Sequence, residues 1–222
     1  MRTRQEIKAI GKQRFNALYW PCVGAAFLVT LISAAISGAA SYAAEYGEWS
    51  VTINLAGLFI TGNLLIGLNY FFVQNILGRE PVDIGTPFRI GFENYSRKLG
   101  GYLWMQLFIT LWSLLLIVPG IIKSFAYAMT PYILADCPNV KAKDALKLSM
   151  RIMQGKKGQL FGFYLSYIGW GLLSCLTCGI LGIFYVTPYM NSSLACWYLE
   201  AREDALRNGV ITLGQLEGNE AV

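Results

Sequence analysis

The sequence predicts an all-α protein, a polytopic membrane helix bundle of six transmembrane helices built as three repeated hairpins, each preceded by an amphipathic inner segment. Three observations carry this prediction. Charged residues make up 14% of the chain, against about a quarter in an average soluble domain, and they cluster so that long charge-free runs lie between them. The Lys and Arg residues gather in alternate links. A spacing of Trp and Pro also recurs along the second half.

The runs come in order. A hydrocarbon core of about 30 Å needs roughly 20 apolar helical residues to cross it. Residues 18–44 and 51–77 are free of charge and long enough. Residues 100–118 follow, and Pro119-Gly120 breaks that run. Residues 121–135 are short for a span and carry Lys123, so a re-entrant segment stays open beside a full crossing. Lys123 lies next to the break, where its stem can snorkel to the interface. Residues 160–177 and 180–199 complete the set. The basic N-terminus leading into an apolar run resembles a signal peptide. That run is too long for one, and further spans follow, so it reads as a retained helix. Together these runs predict one membrane domain over 1–207 and a flexible cytoplasmic tail over 208–222, which holds three glycines and no Lys or Arg.

Orientation follows from the basic residues, which favour cytoplasmic links. Arg2, Arg4, Lys8, Lys12 and Arg14 precede the first span, and Arg79, Arg89, Arg97 and Lys98 lie between the second and third. Lys141, Lys143, Lys147, Arg151, Lys156 and Lys157 lie between the fourth and fifth, and Arg202 and Arg207 follow the sixth. The opposite turns hold Glu45, Glu48, Pro119-Gly120 and 177–179. With six spans all these basic residues fall on one side, which predicts a multi-pass cell-membrane protein with cytoplasmic N- and C-termini. Removing any one span scrambles the agreement.

The repeat is explicit in two units. Trp112 precedes Pro131 of Thr130-Pro131-Tyr132 by nineteen residues, and Trp170 precedes Pro188 of Thr187-Pro188-Tyr189 by eighteen. Basic pairs, Arg97-Lys98 and Lys156-Lys157, lie ahead of each. The first hairpin with its basic lead is a looser third copy. Within the last inner link, Asn139 is a candidate N-cap, and Ala142, Ala145, Leu146, Ser149, Ile152 and Met153 recur at helical spacing. The segment from Lys141 to Lys157 is therefore expected at the inner membrane face, its Lys and Arg drawn to anionic lipid. A pure topology signal is the plainer alternative. Residues 83–97 read as a short helix with a loop.

Chemistry has few places to sit. Histidine is absent, which removes the commonest general base and metal ligand. No nucleophile and base converge, so no enzyme, metal or cofactor is expected, and the net charge of +5 flanks apolar runs, which argues against a nucleic-acid partner. Cys175-x-x-Cys178 lacks the further ligands of a zinc site and reads as small packing residues, with a redox pair or outer disulfide as the alternative. Ser33, Ser37 and Ser41, with Ala34 and Gly38, form a small-residue face suited to close packing, within the chain or between chains. Pro131 and Pro188 each free a backbone carbonyl, which is either a kink or part of a binding site. Asn54, Asn63, Asn69, Gln74 and Asn75 make the second span rich in amides. They are packing partners, or they face water. On the second reading Asn63, Asn69, Gln106, Tyr132 and Tyr189 line a polar cavity for the polar end of an amphiphile. The lack of buried charge then points to a neutral or zwitterionic guest, or to a headgroup held from the basic inner face.

The run LWSLLLIVPGIIKSFAYAMTPYILAD over 111–136 resembles the signature of a bacterial membrane family known as domain of unknown function 975. MQGKKGQLFGFYLSYIGWGLLS over 153–174, followed by Val186-Thr187-Pro188-Tyr189, is similar to its second signature, and IKAIGKQRFNALYW over 7–20 looks like its opening helix. The chain departs from the family at Ala17-Leu18-Tyr19-Trp20, where Gly-Asn-Trp is frequent, and by lacking a His near Lys156-Lys157. The resemblance implies a multi-span protein, mainly of Gram-positive bacteria, with no established reaction. It also implies a remote likeness to the membrane domain of some glycerophosphodiester phosphodiesterases. Two functions remain. One is a non-enzymatic membrane protein that handles or exports a small amphiphile, peptide or lipid. The alternative is a structural or regulatory subunit that binds partner proteins or a second copy of itself.

Overall fold

The computed structural model describes residues 2–46, 50–78, 83–220 and 222, and among these the regular elements are all helices. Glu48 and Arg79, part of the charge pattern, lie outside the described residues, as does the side chain of Asn54.

The chain opens with α1 (Arg4–Ala17), started by Thr3. The Thr3 hydroxyl accepts from the Glu6 amide at 3.4 Å, and the Glu6 carboxylate accepts from the Thr3 amide at 2.8 Å, so two helix-start donors are satisfied reciprocally. Ile7, Gly11 and Phe15 recur every four residues and form its buried face. Two long apolar helices follow, α2 (Tyr19–Tyr46) and α3 (Ser50–Leu77). The short α4 (Thr86–Phe92) then leads into α5 (Tyr95–Leu115), with Pro87 at its start, where the missing N–H costs nothing.

The next turn differs from expectation. The break falls at Leu116, which is extended (φ −158°, ψ 134°), and α6 (Ile117–Tyr127) begins at once. Pro119 and Gly120 sit in the first turn of α6, where a proline removes a donor that has no partner anyway. Gly120 allows the hairpin to close, since a Cβ there would collide with Ser113. After a turn at Ala128 and Met129, α7 (Thr130–Asp136) continues the rod.

The inner link forms α8 (Ala142–Ile152), whose N-cap is Lys141 instead of Asn139. Then come α9 (Lys157–Leu165) and α10 (Ile168–Leu176), a π-helical turn at Gly182–Val186, and α11 (Thr187–Arg207). In place of the expected flexible tail stands α12 (Leu213–Glu217), capped by Thr212 and Gln215, with Ile211 and Leu216 buried. Gly218 lies so close to the Asn139 carbonyl that a Cβ would meet it at 2.6 Å, which ties the C-terminal segment to the α7–α8 link.

Four segments are long and apolar enough to cross a membrane: Tyr19–Glu45, Ala56–Leu77, Ile117–Asp136 and Lys157–Leu176. The third joins α6 to α7 and the fourth joins α9 to α10. By composition α5 and α11 fall outside this set. Their charges lie at one end, Arg97 and Lys98 at the start of α5 and Glu200 to Arg207 at the end of α11.

Packing is uneven along the rods. Phe71, Phe72, Ile133, Leu134, Trp197 and Tyr198 are fully buried and come from the C-terminal halves of α3, α7 and α11. At the far ends Leu114, Leu115, Leu172 and Leu176 are exposed, as suits surfaces bathed in hydrocarbon. The short helices brace the packed end. α1 lies on α11, α4 on α3, and α8 on α5, α6 and α7. Close approach depends on small residues. A Cβ on Gly11 would meet Ser193 of α11 at 2.6 Å, and one on Gly91 would meet the Asn63 carbonyl of α3 at 2.8 Å.

Candidate functional site

The five residues expected around a polar cavity occupy different surroundings. Asn63 is fully buried, and its amide donates to the Phe59 carbonyl of its own helix at 3.0 Å. Its Oδ1 is buried without a partner, as is Gln74 Oε1. Asn69 is half-buried. Gln106 donates to the Tyr102 hydroxyl one turn away at 3.3 Å. Tyr132 stacks on Tyr198 with ring centres 5.3 Å apart. Tyr189 lies in another aromatic group, 5.5 Å from Tyr167 and 5.8 Å from Tyr185. Six helices, α1, α2, α4, α5, α7 and α11, touch α3, and one of its amides bonds across to a neighbour. Asn75 donates to Cys22 Sγ of α2 at 3.2 Å. Interhelical bonds of this kind stabilise membrane bundles by about 0.6 kcal/mol each on average.

The proline breaks are patched from within. Pro188 has no N–H for the carbonyl of Phe184, four residues back, and the Tyr19 hydroxyl of α2 donates to that carbonyl at 3.2 Å. The π-helical turn just before Pro188 absorbs the mismatch. At the α6–α7 break Ser149 of α8 serves two buried backbone groups. Its Oγ donates to the Ala126 carbonyl at 2.8 Å and accepts from the Met129 amide at 3.2 Å. The apolar stripe of α8 therefore faces the bundle, with Ala145, Leu148, Ser149 and Ile152 fully buried. Lys141, Lys143, Lys147 and Arg151 are exposed on its other side. Lys143 lies over the Trp104 ring at 5.2 Å, and Lys147 pairs with Asp144 at 3.3 Å.

Lys156 and Lys157 are half-buried, and Lys156 pairs with Asp204 at 2.8 Å. The basic pair Arg97-Lys98 does structural work. Arg97 donates to the carbonyls of Leu134, Cys137 and Val140 at 2.7, 3.2 and 2.8 Å, which closes the C-terminus of α7. Lys98, buried, donates to the Ile90 carbonyl of α4. Burial lowers the pKa of both, partly offset by Cys137 for Arg97 and by Glu93 for Lys98. Asp136 accepts from the Tyr198 hydroxyl at 3.1 Å and pairs with Arg202 of α11. Burial, and then the neighbouring Asp136, push the Cys137 thiol up to about 12. Cys175 and Cys178 are exposed and unbonded, which corrects the reading of them as packing residues.

Beside the α6–α7 break the structure holds an apolar crevice of about 440 Å³. Met105 and Ile109 of α5, Phe125 and Tyr127 of α6, Pro131 of α7 and Tyr164 of α9 form its walls, with Ser124 at the edge. Pro131 and Ala128, at the turn between α6 and α7, both border it. Lys123 stands next to it, its ammonium 5.1 Å from the Trp112 ring centre and 5.9 Å from that of Tyr127. Lys123 is the seventh residue of α6, close enough to the outer turn for its stem to reach toward the interface. Ring faces contribute about 0.5–2 kcal/mol. The crevice takes in none of the five residues expected to line a polar cavity, though Pro131, expected as a helix break, stands in its wall. Its aromatic and aliphatic walls have no signature in sequence, since such residues read equally as lipid-facing.

The family model described as protein of unknown function (DUF975) matches residues 114–205. The matched segment, which is similar to DUF975, takes in most of the crevice, from α6 through α9, and both Thr-Pro-Tyr breaks. The N-terminal run 7–20, expected to share the resemblance, lies outside the match. No curated protein and no solved structure matches the chain. The likeness to the membrane domain of glycerophosphodiester phosphodiesterases is not shown.

Proposed function

We propose that this chain is a six-span, non-enzymatic protein of the cell membrane that takes up the apolar part of a small amphiphile, lipid or peptide. Both termini face the cytoplasm. The crevice beside Pro131 carries this reading. It is apolar, it lies between three rods, and hydrocarbon is the only solvent that meets such walls favourably within a bilayer.

Six spans follow if α5, and the π-helical turn with α11, cross beside the four more apolar segments. Support comes from packing order and from charge. α2 touches α3, α3 touches α5, α5 touches α6, and α6 touches α9. α10 meets the π-helical turn, which returns to α2, so the rods form a closed ring. The three-hairpin repeat draws support from α1, α4 and α8. Each leads one hairpin and rests on the last rod of the hairpin before it, with α1 on α11 closing the cycle. The exposed basic side chains of α8 then face anionic lipid at the inner surface.

The test is lipid retention. The protein is purified in a neutral detergent and co-purifying amphiphile is counted by native mass spectrometry. Ser124→Trp and Ile109→Trp place bulk in the crevice and are expected to abolish retention of one bound molecule. Equal retention by both folded variants contradicts the proposal. A second reading, as a subunit that binds a partner helix, has the uncovered Ser37 and Gly38 of α2 in its favour. Disulfide crosslinking through Gly38→Cys in membranes supports that reading, and its absence at high expression counts against it.

A further inference from the structure

We propose that Lys123 is the headgroup contact of the crevice, and that the guest is an anionic amphiphile whose chain lies between α5, α6 and α9. This rests on the crevice being occupied as proposed above. It departs from the neutral or zwitterionic guest that the sequence suggested.

Lys123 is the only charged residue between Lys98 and Asp136. It sits on α6 in an apolar rod, and among the described residues no carboxylate pairs with it. Arg97 and Lys98 hold backbone carbonyls, and Lys156 and Arg202 hold Asp204 and Asp136. Among the described residues Lys123 meets two ring faces, Trp112 and Tyr127.

A ring face attracts the ammonium, but it does not accept a proton in a hydrogen bond as an anion's oxygen does. Among the described residues the three N–H donors of Lys123 therefore have no oxygen acceptor. The second observation is position. Tyr127 forms part of the crevice wall and also lies under the ammonium, and Ser124 is the next residue along. An acyl chain in the crevice thus brings its polar end to Lys123. A phosphate or carboxylate there neutralises the cation and accepts its protons, while the Ser124 hydroxyl at the crevice edge keeps its proton on the Ile121 carbonyl at 2.7 Å. The chain and the charge belong to one molecule, so the guest is an anionic lipid-class amphiphile and not a free anion.

The experiment compares phosphatidylglycerol with phosphatidylcholine of the same acyl chains. Each is titrated onto the full chain in neutral detergent, and binding is read by native mass spectrometry. One basic contact gives the anionic lipid a preference of roughly fivefold at a single site. Lys123→Gln is expected to erase that preference while still binding both lipids, and Lys123→Arg to keep it. A preference that persists in Lys123→Gln overturns the inference and assigns it to the exposed lysines of α8. If wild type binds both lipids equally and Ser124→Trp loses both, the crevice reading stands and the headgroup inference fails. If Ser124→Trp changes neither, both fail.

Discussion

Ser149 holds the α6–α7 break together. Its hydroxyl is fully buried and serves a carbonyl and an amide that no helix turn satisfies. Ser149→Ala leaves both groups buried and unpaired, and the expected cost is about 1–3 kcal/mol in equilibrium unfolding from mixed micelles. Ser41→Ala serves as the control. Ser41 is exposed and bonds only within its own helix, so its loss is expected to stay within about 0.5 kcal/mol. Equal effects of the two would show that the break needs no patch. Asp136 supports a second prediction. Asp136→Asn strands Arg202 at a largely buried position, which costs about 3 kcal/mol, and pairing it with Arg202→Met costs less than the two changes summed. Additive effects would show that the ion pair is idle. Nothing in the spacing of residues points to Ser149's role. It appeared only as one member of an apolar stripe, because a serine that patches a distant backbone looks like a small packing residue until the two segments are brought together.

The short helices were legible to different degrees. The stripe of α8 was visible from its spacing, and so was the opposite basic face, but whether the stripe met lipid or bundle needed tertiary contacts. α12 was missed because five residues with two glycines nearby carry no periodicity, and its order depends on docking against Asn139. The hairpin break was placed at Pro119-Gly120 by residue type. A proline is as compatible with a helix start as with a turn, and the chain uses it as the former. The attachment of α9 to α11 yields a prediction about pH. The hydrogen bond from Lys156 holds the Asp204 carboxyl below its ordinary value, although partial burial opposes this. A carboxyl with a lowered folded pKa contributes fully above its unfolded value of about 3.9, and the contribution is lost as pH falls through the lowered value. Melting temperature measured between pH 3 and pH 6 is expected to fall at the acid end, and Asp204→Asn to flatten part of that fall. An unchanged profile would mean that the Lys156 contact does not hold the link.

For the molecule as a whole, the membrane character and the helical class were plain from the charge-free runs, and four segments bear the length and composition to cross. The expected polar cavity is not formed among the described residues; amides that surround one helix look alike in sequence whether they face water or neighbouring helices. The native cysteines offer a check on topology without substitution. Cys22, Cys137 and Cys196 are buried, whereas Cys175 and Cys178 are exposed at the end of α10. With cytoplasmic termini and six spans, an impermeant maleimide is expected to label Cys175 and Cys178 from outside intact cells and to leave Cys137 unmodified even after permeabilisation. Labelling of the pair only after permeabilisation would reverse the orientation. The central claim is that hydrocarbon from a guest molecule occupies the crevice beside Pro131. Photolysis of a diazirine-bearing acyl lipid in membranes, followed by peptide mapping, tests it most directly. Crosslinks concentrated at Met105, Ile109, Phe125, Tyr127 and Tyr164 are the predicted result. Crosslinks spread evenly over the exposed surface at Leu114, Leu172 and Leu176, with none enriched at the crevice, would contradict it.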